Sequence, residues 1–116
     1  MNNEEIHRLF NSINSDFSLI PTNLLPDELY QQLFKITTEY VSTMSQVIEA
    51  DSKNEFKYVK EVNNEQLATM IIFHKTLLNL FQEAEMYELC INVKKINEIL
   101  ETQLKFNVEK NTSKKG

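Results

Sequence analysis

Before its final residue, Gly116, the chain contains no glycine, and its only prolines are Pro21 and Pro26. Tight β-hairpin turns, β-bulges and phosphate-cradling loops lean on glycine, which alone takes left-handed backbone angles at little steric cost. Their absence points to helices. A single cysteine, Cys90, excludes an intramolecular disulfide and fits a reducing compartment. No apolar run approaches the roughly 18 residues of a membrane span. The N-terminus lacks the basic flank and apolar core of a secretory signal. A cytoplasmic location, away from membranes, is the expectation by elimination.

Catalytic signatures are also missing. There are two histidines. Glu4-x-x-His7 is half of a bundle di-iron pattern, which requires a second copy, and Ile71 occupies the corresponding place before His74. No metal or other cofactor is therefore expected. No Walker-type loop, nucleophile elbow or zinc spacing is present. Glu83, Glu85 and Glu88 gather at one turn, and an exposed turn tip offers no pocket for acid–base work. The expectation is a protein that is not an enzyme.

What the chain does contain is helical periodicity. Its 116 residues, 25% charged and 41% hydrophobic, suit one globular domain over 1–108. The clearest stretch runs from Asn64 to Leu104. Leu67, Met70, Ile71, His74, Leu77, Leu78, Phe81 and Ala84 step by threes and fours along one helix face. Met86, Leu89, Cys90, Val93, Ile96, Leu100 and Leu104 do the same after a turn near Glu83–Met86. Asn64, or Asn63 with Gln66 behind it, caps the start. The short connection makes the two arms antiparallel. Folding about Glu85 brings Phe81 to Leu89 or Cys90, Leu77 and Leu78 to Val93, and His74 to Ile96 or Asn97. His74 and Cys90 then stand too far apart for a Cys–His pair, and each reads as a core residue.

The run from Leu78 to Ile96 resembles the helical-hairpin motif of bacterial excision-repair nuclease subunits, which mediates subunit contact in that family. The likeness rests on the aromatic-Glu pair Tyr87-Glu88, the small Cys90 two residues further on, and the basic Lys95 before Ile96. The adjacent alanines of the motif are here Cys90-Ile91, and its Arg-Asp is Lys94-Lys95. It implies a contact role and carries over no functional residue.

Earlier in the chain, Ile6, Leu9, Phe10 and Ile13 predict a short helix over 3–14, followed by an apolar connector over Ser15–Leu25. Pro26 opens a long helix to about Ala50, with Asp27 and Glu28 favouring its positive N-terminal end. Asp51–Asn63 reads as a loop with a helical turn, with a strand pairing to another chain as the alternative. Residues 109–116 read as a disordered polar tail. The expected fold is all-α: three long helices plus a short N-terminal helix, built on the C-terminal αα-hairpin.

Both arms carry more apolar residues than one stripe requires, which calls for cover from another subunit as well as from the N-terminal half. The expected function is a small interaction module, an adaptor or regulator that binds a protein partner and forms a homodimer. Phe56, Tyr58, Ile72, Phe73 and Leu80 are the expected interface residues. Net charge is −5, and the tail contributes +2 through Lys110, Lys114 and Lys115 against Glu109, leaving −7 on the body. That charge repels nucleic acids directly. It also gives the alternative: an acidic mimic inhibiting a nucleic-acid enzyme, of the phage or mobile-element counter-defence type.

Overall fold

The computed structural model describes residues 3–115, with side chains over 5–110. Four α-helices occupy it: α1 (Asn3–Ser18), α2 (Pro26–Ser52), α3 (Asn64–Glu83) and α4 (Tyr87–Lys115). No strand occurs among the described residues, and a single 3-10 turn, Val59–Glu61, lies between α2 and α3. No described helix is long and apolar enough to cross a membrane.

Two bounds differ from the sequence expectation. α1 runs on to Ser18 because Phe17 continues the stripe of Phe10 and Ile13, and proline first constrains the backbone at Ile20. α4 continues to Lys115, through the segment expected to be a disordered tail, since no proline or glycine interrupts it. The side chains of 111–115 and all of Gly116 lie outside the described residues.

Helix ends follow local chemistry. Leu25 is extended and offers no side-chain cap, and Pro26 opens α2 with Asp27 and Glu28 in the first turn. Asn63 caps α3, its side-chain oxygen accepting the Gln66 N–H at 2.7 Å. α3 ends in a Schellman motif: the Met86 N–H donates to the Phe81 carbonyl (2.9 Å) and the Glu85 N–H to the Gln82 carbonyl (3.1 Å). That geometry needs a left-handed residue, and Glu85 supplies it at φ 58° in the place glycine usually takes. Replacing Glu85 by glycine is expected to stabilise the protein by about 1 kcal/mol, read as a higher urea midpoint at unchanged m-value.

α3 and α4 pack along each other, α1 lies on α2, and α2 reaches across to α4. The core draws on every helix, from Ile6, Phe10 and Ile13 through Val41, Met44 and Ile48 to Leu67, Met70, Phe81, Val93 and Leu100. The α3–α4 register is antiparallel: Asn107 donates to Asn64 near one end, His74 meets Asn97 midway, and Lys75 pairs with Glu101. Phe73, off the main stripe of α3, sits edge-to-face against Phe10 and Phe17 of α1 and Tyr40 of α2.

Candidate functional site

Two polar arrangements hold the helices in register, and an open groove lies between α2 and α4. The first arrangement is fully buried. Asn97 donates its amide N–H to the Ile71 carbonyl (3.2 Å), which leaves its side-chain oxygen facing His74 Nδ1 at 2.9 Å. His74 Nδ1 therefore carries the proton, and Nε2 accepts from the Tyr40 hydroxyl at 2.6 Å. Burial lowers the His74 pKa to about 4, against the opposing hydrogen bond that Nδ1 donates to Asn97, so the ring is neutral. The Tyr40 phenol is pushed far above its ordinary range by burial and stays a donor. Every group in this α2–α3–α4 chain is satisfied, which makes it a register device rather than a reactive triad. It also bears out the placing of His74 beside Asn97.

The second arrangement is Asp51, buried at the end of α2. Its two carboxylate oxygens accept the N–H groups of Tyr58 (3.0 Å) and Val59 (2.8 Å). Its carbonyl accepts from Asn54 and Phe56, both at 2.9 Å. One residue thus gathers four backbone donors and folds 53–59 into a compact turn. Within that turn Glu55 and Phe56 both take left-handed angles, φ 58° and 59°. Such angles are costly for a bulky side chain and persist only when neighbours impose them. Nothing in the sequence signals them, because neither position is glycine or asparagine.

The strained turn delivers Phe56 to the wall of a groove. Phe56, Val59 and Ile99 line a cavity of about 430 Å³, rimmed by Glu55, Lys60, Glu98, Thr102 and Gln103. A second cavity of about 370 Å³ shares Ile99 and continues between α2 and α4 over Ile48 and Ile96. Ser45 lines this part, and its buried hydroxyl has no hydrogen-bond partner among the described residues. Phe106, 58% exposed, lies seven residues beyond Ile99 and so on the same face of α4. Together these form an apolar-floored trough with a mixed-charge rim, flanked by α2, the 53–59 turn and α4.

The expected interface residues are scattered relative to this trough. Phe56 lines it. Tyr58 is half-buried against the core, with the Lys57 ammonium over its ring at 5.6 Å. Phe73 is engaged by four rings, Phe10 and Phe17 of α1, Tyr40 of α2 and the adjacent His74, and is an internal packing residue. Leu80 is half-buried near the end of α3. Ile72 is 66% exposed but flanked along its helix by the polar Thr69, Lys75 and Thr76, so it is an isolated surface side chain. Ile48, Ile96, Ile99 and Phe106 had no signal to mark them as a group, since their trough is built by α2, the connector and α4 together.

His7 is half-buried on α1, and the Glu4 side chain lies outside the described residues. Among the described residues no three His, Cys, Asp or Glu side chains converge as metal ligands. Cys90 is buried. Glu83, Glu85 and Glu88 are all exposed at the hairpin turn. Compared with known proteins, the chain matches no family model, no curated protein and no solved structure.

Proposed function

We propose that this chain is a non-enzymatic helical interaction module, an adaptor or regulator that works by binding protein, and that the α2–α4 trough is its contact surface. The observation that carries the reading is the trough itself. Ile48, Ile96 and Val59 are buried at its base, Phe56 and Ile99 are half-buried in its walls, and a large exposed ring, Phe106, lies beyond them on the same face of α4. Apolar side chains grouped inside a polar rim are the usual anatomy of a protein contact. The buried polar groups favour the same reading, since His74, Tyr40 and Asp51 are all committed to holding helices and backbone.

The test is a comparative capture from a cell lysate of the source, using the tagged wild type, Phe106→Asp and Ile72→Asp, at low and high salt. Both substitutions replace exposed side chains and leave the fold intact, which circular dichroism checks. Proteins held by the wild type and by Ile72→Asp, lost with Phe106→Asp and retained in high salt are the expected result. Equal capture by all three forms overturns the trough as the contact surface. A nucleic-acid enzyme captured by all three and released by salt would favour the acidic mimic instead.

A further inference from the structure

The exposed face of α4 carries a second pattern. Lys95, Glu98, Thr102, Lys105 and Glu109 follow one another at intervals of three and four, and all five are exposed. They form a single stripe beside the trough. Its charges invert about Thr102. Lys95 stands seven residues before it and Glu109 seven after; Glu98 stands four before and Lys105 three after. Among the described residues none of these four charged side chains has an ion-pair partner within the chain, whereas the neighbouring Glu101 is held by Lys75 at 3.7 Å.

A charge sequence that inverts about its centre complements itself when two copies meet antiparallel. A two-fold axis at Thr102 sets Lys95 against Glu109 of the other copy and Glu98 against Lys105, each pair occurring twice. The same operation carries Phe106, four residues after Thr102, to the level of Glu98 and Ile99 on the other copy. There the Phe56–Val59–Ile99 cavity opens. In a parallel arrangement identical charges would face each other, which is unfavourable.

We infer that the occupant of the trough is a second copy of this chain, docked antiparallel along α4 about Thr102, with each Phe106 seated in the other's Phe56–Val59–Ile99 cavity. This rests on the trough being a contact surface and names its partner. The dimer is reversible, and salt weakens its exposed ionic rim while leaving the apolar Phe106 contact in place.

Sedimentation velocity over a concentration series tests it, with wild type, Glu98→Lys, Lys105→Glu and the double reversal. Each single reversal places two like-charge pairs in the dimer and is expected to weaken it roughly tenfold. The double reversal restores opposite charges and recovers association. Thr102→Cys, on the axis, is expected to cross-link as a disulfide dimer under mild oxidation, while native Cys90 is buried. A monomer at every concentration overturns the inference, and the capture experiment then decides separately whether the trough binds a different protein. A dimer indifferent to both reversals, with no cross-link at residue 102, overturns it equally by placing the interface elsewhere.

Discussion

Replacing Asp51 by alanine is expected to destabilise the protein by about 3–5 kcal/mol, the largest effect of any single polar substitution. The carboxylate accepts two backbone N–H groups, from Tyr58 and Val59, and the Val59 side chain they position is fully buried. Alanine leaves both donors without a partner, and each buried unsatisfied donor costs about 1–3 kcal/mol. Asp51→Asn is the sharper probe. It keeps one acceptor oxygen but turns an NH2 group toward the other N–H, so about half the loss is expected. Because the turn held by Asp51 also carries Phe56 into the trough, the two variants should lose partner binding in the same order as stability. Urea denaturation gives the first quantity. Wild-type stability in Asp51→Ala would mean that the 53–59 turn is held some other way.

The buried Tyr40–His74–Asn97 chain is expected to make the protein acid-sensitive. His74 has a folded-state pKa of about 4, below the ordinary value near 6.5 that it regains on unfolding. Between those values the unfolded chain binds the proton and the folded one does not, so stability falls as pH falls. The contribution is fully present above about pH 6.5 and is lost progressively down to about pH 4, amounting to about 3 kcal/mol. The groups facing the ring are the Tyr40 hydroxyl and the Asn97 amide, neither of which supplies a compensating negative charge.

Carboxylates titrate in the lower part of that window, so a comparison isolates the histidine. The pair of substitutions His74→Leu and Asn97→Leu removes both groups at once and should flatten the pH dependence between 6.5 and 5. Asn97→Leu alone leaves the His74 N–H and the Ile71 carbonyl without their side-chain partner and is expected to cost about 2–4 kcal/mol. Adding Tyr40→Phe to the double variant removes the hydroxyl that His74 accepts from, and this triple variant should recover part of that loss, since a fully apolar set of suitable volume needs no partner. Parallel pH profiles for wild type and double variant would exclude the ring as the sensor.

The α3–α4 hairpin was legible in the sequence because its signals are local. Periodicity marks the two arms, a short connection makes them antiparallel, and counting outward from Glu85 puts His74 beside Asn97, as the structure has it. The Tyr40 contact could not be counted that way, because it depends on how α2 crosses the hairpin. Phe73 reads as surplus apolar surface on its own helix, because its cover comes from Phe10 and Phe17 on α1, far away in the chain.

Asp51 gave no signal at all. An acidic residue at a helix end is ordinarily a solvated one, and its hydrogen-bond partners lie seven and eight residues further along a turn without glycine. The trough shared that obscurity, since its walls come from α2, the 53–59 turn and α4. Of the residues expected at an interface, Phe56 alone lines it.

Hydrogen–deuterium exchange of the full chain, free and in contact with its partner, tests the central claim most directly. The contacted state is the concentrated protein if it self-associates, and otherwise the complex with a captured protein. Slowed exchange confined to 45–60 on the α2 side and 92–106 on α4 is the result this account requires. Unchanged exchange there, with protection appearing instead on α1 or around Ile72 on the outer side of α3, would contradict it.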